Sequence, residues 1–309
     1  MIAYDIYHYE KAFSHSNLLN ICYLRENIIM KIAWITDTAA LLPQSFVDKH
    51  NIHVLPLNLV FGEEAYREAV DISPSEFYEK MRTFTGHPTS AQPNFGDHVA
   101  LYERLKEAGY DCAIAVHTSS KQSGTFASSS MAAEQADFKT YAIDAMIGSY
   151  PMQRMLEKGI ELANGGKSID EIVAGIESLR PQSELMFIPA SLEKLNKSGR
   201  VSGTAMFISN LLNVKLVIKY EDGVCVVGQK VRAEKRARQA IIDKLNAAIA
   251  SSTIREVAVI HTNDEAAAVA WEKELKVVYP NINFVITELS AVVGALTGEG
   301  TVGLAWVRE

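Results

Sequence analysis

A chain of 309 residues with 48 % hydrophobic and 22 % charged residues can bury a large core, and is too evenly mixed to be disordered, fibrous or membrane-embedded. Its formal net charge of −7 disfavours nucleic acid and anionic lipid surfaces as partners. Cys22, Cys112 and Cys225 are odd in number and far apart, without metal-site or disulfide-framework spacing, which fits reduced thiols in a cytoplasmic protein.

Residues 1–29 lack a long apolar run and place Asp5, Glu10 and Arg25 among their apolar residues, which fits neither a signal peptide nor a membrane span. They read as an extension without a role, because Met30 leads straight into an apolar stretch. Strand, loop and helix then alternate: residues 32–35 form a buried strand, 41–50 a helix, and 54–61 are apolar again. Ser73, Pro74 and Glu76 supply an N-cap, a proline at the first helical position and a capping-box glutamate, opening a helix that carries residues 77–84.

Residues 112–116 and 141–143 are apolar runs that read as central parallel strands, the second ending at Asp144, and residues 126–136 are helical between them. Asn164, Gly165 and Gly166 stop one helix and Ser168 to Glu171 starts another, so a boundary is placed here between a domain of residues 30–166 and one of residues 167–309. Beyond it, residues 185–188 and 216–219 read as strands, and Glu221, Asp222 and Gly223 as a hairpin turn into 224–228. Helices at 233–250 and 264–279 and strands at 257–260 and 284–287 complete the pattern. The expected fold is α/β, with an N-terminal Rossmann-like parallel sheet flanked by helices and a C-terminal mixed or antiparallel α/β domain.

Two loops and one arginine stand out chemically. The loop from Ser119 to Thr125 lies between a predicted strand and a predicted helix, where free amides and hydroxyls beside a helix N-terminus suit a carboxylate or a phosphate. Ser123 can equally cap its own helix. Thr89 and Ser90 sit between Pro88 and Pro93, either as rigidly held hydroxyls or as a simple turn. Arg200 follows a short helix closed by Gly199; its planar fork can grip a carboxylate or phosphate, or serve as an ordinary cation at a helix end. The basic run at residues 230–238 is a docking patch or a solvated helix start. His53, His98 and His261 form no ligand set, no metal site is indicated, and no HExxH, GxSxG or phosphate loop occurs. Asp37 and Asp144, at predicted strand ends, are candidates for shaping a site rather than for acid/base work.

With these segments in order, the chain from Met30 to its end resembles the DegV family, bacterial fatty-acid-binding proteins that include the binding subunits of fatty acid kinase. The matching segments are Thr36 to Thr38, Val70 to Ser73, Pro88 to Pro93, Ser119 to Thr125, Gly199 to Ser202 and the glycine-rich end from Gly294. The resemblance implies a two-domain cytoplasmic protein that buries one acyl tail in residues 167–309 and holds its carboxylate near the domain interface. It implies headgroup contacts from Thr89, Ser90 and Ser123, with Gly124 of the Ser-Gly-Thr motif. It further implies a binding protein that is not itself the catalyst and that presents the carboxylate to a separate fatty acid kinase. A monomer without cofactor, metal, nucleic acid or stable membrane insertion is expected.

Leu296 stands where the family has histidine, Glu299 where it has proline, and Ala91 and Ala145 where serine is common. Leucine donates no hydrogen bond, so Arg200 becomes the candidate for contact with a phosphate or a partner. Two alternatives remain at this stage. One is a carrier of another amphipathic carboxylate without a kinase partner. The other is an acyl or phosphoryl transferase using Ser123 as nucleophile and His117 as base.

Overall fold

The computed structural model describes residues 30–202 and 214–309. The readings made for residues 1–29, and for Cys22 among them, lie outside these residues.

In chain order the first strands are β1 (Ile32–Asp37), β2 (Ile52–Leu55), β3 (Asn58–Phe61), β4 (Glu64–Arg67), β5 (Thr89–Ala91), β6 (Cys112–His117) and β7 (Thr140–Asp144). The later ones are β8 (Ser183–Ile188), β9 (Val201–Ser202), β10 (Lys215–Glu221), β11 (Val224–Val231), β12 (Glu256–His261), β13 (Asn283–Glu288) and β14 (Val302–Val307). They form a four-stranded sheet, a seven-stranded sheet and a small three-stranded one.

The four-stranded sheet has the order β2-β1-β6-β7 and every pairing in it is parallel. All six residues of β6 are buried, as a central parallel strand covered on both faces requires. Side chains alternate between the faces. Ala113 and Ala115 join Tyr102 and Leu105 of the helix Phe95–Glu107 in one cluster, while Ile114 and Val116 join Met155 and Leu156 of the helix Tyr150–Asn164 in another.

The seven-stranded sheet has the order β13-β12-β14-β8-β10-β11-β9. The β10–β11 hairpin is antiparallel and turns through Asp222 and Gly223, both at positive φ (49° and 81°), the combination that matches the strand twist. One face of this sheet, including Leu185, Phe187 and Ile218, belongs to the same core cluster as Ile114 and Val116. Its other face packs Val217, Val259 and Trp306 against the helices Glu234–Ser251 and Glu265–Val278. The three-stranded sheet, β4-β3-β5, is antiparallel.

Both capping boxes form with reciprocal bonds, at Ser73 and Glu76 and at Ser168 and Glu171. Three expectations change. The apolar run at 54–61 is two strands in different sheets, parted at Pro56, whose missing N–H cannot continue a ladder. The loop at 87–93 contains β5, which pairs with β3. The glycine-rich end holds a helix, Ala291–Thr297, and then β14, which lies antiparallel between β12 and β8.

Gly303 in β14 is needed for that pairing. A side chain there would press on the Met186 carbonyl oxygen and come within 2.8 Å of Phe187 Cα, both backbone atoms that cannot step aside. Gly303→Ala is expected to lower the unfolding free energy by about 1–3 kcal/mol. Gly96→Ala, in a helix and with no neighbour within 4 Å, is expected to be neutral or to stabilise by about 0.5–1 kcal/mol. Urea denaturation of the two variants checks the contrast.

Candidate functional site

The site begins where β1 and β6 end side by side. Asp37 is fully buried. Its Oδ1 accepts the Ala39 N–H at 3.0 Å, and its Oδ2 accepts the Thr118 N–H at 3.0 Å and lies 3.1 Å from His117 Nδ1. His117 Nε2 lies 2.8 Å from Ser129 Oγ, which is 2.5 Å from the Tyr102 hydroxyl. The start of the loop at residues 118–124 is thereby fixed to two adjacent strands.

Asp144, at the end of β7, fixes the same loop from the side: its Oδ1 accepts the N–H groups of Ser120 at 3.1 Å and Met146 at 2.9 Å. Ser119 Oγ donates to the Gly223 carbonyl at 2.7 Å and so ties the loop to the β10–β11 turn. Both aspartates thus shape the site. Ser123 Oγ lies 2.8 Å from Thr125 Oγ1 and accepts the Thr125 N–H at 3.3 Å, at the start of the helix Thr125–Gln135. The Gln92 side chain lies across Gly124, where a Cβ would meet its Oε1 and require the amide to swing aside.

This loop forms one wall of a cleft of about 590 Å³, where Ser90, Gln92, Ser120, Ser123, Gly124 and Arg200 supply polar lining. Next to it lies a smaller chamber of about 80 Å³ with apolar walls from Leu185, Phe187, Leu195, Val201, Cys225 and Leu289. The two cavities share walls at Thr118, Gln122, Arg200, Tyr220, Val293 and Leu296. A polar compartment therefore abuts an apolar one. Burial pushes the Cys225 thiol up to about 12, so it stays neutral and belongs to the apolar wall.

Thr89 and Ser90 are neighbours on β5, opposite Val60 and Leu59 of β3, and successive residues of a strand face opposite ways. Ser90 lines the cleft, whereas Thr89 lines a third cavity of about 70 Å³ together with His87, Lys194, Lys197 and Arg200. The structure thus brings Ser90, Ser123 and Gly124 together and sets Thr89 beside them, among cations. Arg200 and Leu296 line all three cavities. Gly199 at φ 67° turns the chain after the helix Leu192–Ser198, and Arg200 Nη1 donates to the Ser198 carbonyl at 2.7 Å.

Glu299 lines none of the three. It pairs with Arg82 and accepts from Asn263 Nδ2 at 2.7 Å, and the Arg82 bond holds its carboxyl below the usual carboxylate range. Ala91 is part of the cleft wall, and Ala145 is fully buried in the core. His117 cannot serve Ser123 as a base, since both ring nitrogens are engaged by Asp37 and Ser129 and the ring is fully buried. Ser129 is equally buried, so this Asp-His-Ser arrangement is a strut closed to substrate.

Sequence reasoning did not single out Gln122, Ser149 or Tyr220, which also line the chamber. Gln122 lies inside the loop already under suspicion. Ser149 carries no signal in its residue type; its mark is a backbone at φ 59° and ψ −142°. Among the described residues no group of three or more His, Cys, Asp or Glu could hold a metal, and no helix is long and apolar enough to cross a membrane.

Residues 31–309 match the family model described as "Uncharacterised protein, DegV family". Protein DegV of Bacillus subtilis is 35 % identical over 279 residues, 90 % of this chain and 99 % of its own. A DegV domain-containing protein of Listeria monocytogenes is 32 % identical over 277 residues, 89 % of this chain and 98 % of its own. The crystal structure of DegV from Bacillus subtilis, described as a fatty acid binding protein, superposes with a TM-score of 0.82 at 35 % identity, covering 91 % of this chain and 100 % of that one. A Thermus thermophilus family member, described by its fatty acid binding, gives a TM-score of 0.82 at 29 % identity with the same coverage.

The buried Asp37 carboxylate is the joint most open to test. Asp37→Ala leaves His117 and the Thr118 amide without their acceptor and is expected to cost about 1–3 kcal/mol for each donor left unpaired, measured by denaturant unfolding.

Proposed function

The chain belongs to the DegV family, and from that premise we propose that it binds one long-chain fatty acid, tail in the apolar chamber and carboxylate in the polar cleft. The observation that carries this reading is the seam itself, where an apolar chamber and a hydroxyl-lined cleft share walls within one site. The fatty acid binding described for the Bacillus subtilis and Thermus thermophilus proteins supports it.

The division of work follows from magnitudes. Each methylene removed from water contributes about 0.8 kcal/mol, so a long tail supplies roughly 10 kcal/mol gross. A hydrogen bond to the carboxylate adds about 1.5–3 kcal/mol and sets where its oxygens point. In this reading the tail lies in residues 167–309, along Leu185, Phe187, Leu195 and Val201, and the loops of residues 30–166 take the headgroup. A chamber of about 80 Å³ holds only several water-sized molecules, so a long tail enters by moving the side chains around it.

Ser90, Ser123 and the Gly124 amide face the carboxylate, with the helix N-terminus at Thr125 favouring its charge. Lys194, Lys197 and Arg200 form the adjoining basic wall, with the Thr89 hydroxyl beside them, suited to a phosphate transferred to that carboxylate by a separate cytoplasmic kinase. The protein itself carries the substrate and performs no chemistry. The engaged and buried His117 supports that division, because it leaves Ser123 without a base.

Native mass spectrometry of the purified protein, with identification of what denaturation releases, is expected to show one fatty acid per chain. A protein that is empty and takes up no added fatty acid contradicts the reading. Ser123→Ala is expected to weaken binding of the acid by about tenfold or more. Leu296→His, which restores a donor at the point where the three cavities meet, is expected to raise the rate of kinase-dependent phosphorylation while binding stays within about threefold; an unchanged rate overturns the kinase part alone.

A further inference from the structure

Two buried polar atoms in the chamber have no hydrogen-bond partner: Gln122 Nε2 and Ser149 Oγ. Donors left in this way cost free energy that folding does not recover, and a ligand that accepts from them recovers it. Ser149 is 4 % exposed and lines the chamber. Its backbone, at φ 59° and ψ −142°, lies in a region that glycine alone occupies comfortably.

The strain is held in place. The Ser149 N–H donates to the Ala39 carbonyl at 2.8 Å, and the Ser149 carbonyl accepts from the Met152 N–H at 2.9 Å in the first turn of the next helix. Beside it, Gly148 keeps the space open: a side chain there would stand 3.4 Å from Thr118 Oγ1 and 3.7 Å from the Tyr220 hydroxyl. Gln122 lines both chamber and cleft. Thr118, Gln122 and Tyr220 thus lie on the wall shared with the cleft, Ser149 lines the chamber and is bonded to Ala39 of that wall, and Leu296, which shares the wall, supplies no donor.

We infer that Gln122 and Ser149 form a second, inner subsite that donates hydrogen bonds to the ligand's carboxylate at the mouth of the chamber, supplying the donors that Leu296 lacks. The inference rests on the fatty-acid reading and adds two specificity-determining residues to it. An alcohol oxygen also accepts from an amide N–H and a hydroxyl, but the bonds to a carboxylate are charge-assisted and about twice as strong, so the pair favours an ionised acid over a neutral headgroup of the same chain length.

The test is the ratio of affinities for a C16 fatty acid and the matching C16 primary alcohol, measured by displacement of a fluorescent fatty acid. A ratio does not depend on the fraction of protein that is folded. Gln122→Leu and Ser149→Gly, the latter keeping the unusual backbone accessible, are each expected to reduce the wild-type preference for the acid by about tenfold. Gln122→Glu is expected to reverse it, by setting an anion against the carboxylate. If the wild type binds the acid and all three variants keep its acid-to-alcohol ratio, the inner subsite is wrong and fatty-acid binding stands. If the wild type binds neither compound, the fatty-acid reading fails first.

Discussion

A buried carboxylate holds the site together. Removing Asp37 from water costs several kcal/mol unless donors replace the lost hydration, and here two backbone amides and an imidazole nitrogen do so. Those donors belong to the ends of two neighbouring parallel strands, so satisfying the charge aligns the strand ends. Ligand sites in open parallel sheets lie at the carboxyl ends of strands, and here the alignment aims the loop at residues 118–124 toward the second sheet. Asp144 repeats the device one strand further along.

A second buried carboxylate positions the opposite wall. Glu68 is 2 % exposed; it accepts from Thr38 Oγ1, from Ser290 Oγ at 2.7 Å and from the Ala291 N–H at 2.6 Å. Burial pushes its carboxyl up while these donors oppose the shift. It thereby joins the turn after β1 to the start of the helix that carries Leu296. Both walls of the seam are therefore anchored to β1 and the turn after it, and the cavity between them takes its shape from polar joints that are buried and satisfied. The core shared by the two large sheets supplies apolar surface at the same place.

Much of this was legible where the signal is local. The capping boxes at Ser73 and Ser168 read correctly because all their atoms lie within four residues, and β6 because a strand covered on both faces is a continuous apolar run. Non-local structure was hidden. Thr89 and Ser90, bracketed by prolines, look like a turn until β3 pairs with them, and β14 is masked by the glycines that precede it and by Gly303 within it. Ser123 and Arg200 could be suspected from residue type beside glycine. Glu299 could not be placed, since its partner Arg82 lies 217 residues away, and neither could Ser149, whose distinction is a backbone angle.

The orientation proposed for the bound acid puts its carboxylate at the hydroxyl-lined cleft and its tail end deep in the chamber. A crystal structure of the complex with a long-chain fatty acid brominated at its terminal carbon measures it directly, because anomalous scattering locates the bromine. Bromine between Leu185 and Phe187, with the carboxylate within hydrogen-bond reach of Ser123, is the predicted result. Bromine in the cleft beside Ser90, or a chain lying wholly outside the chamber, would contradict it.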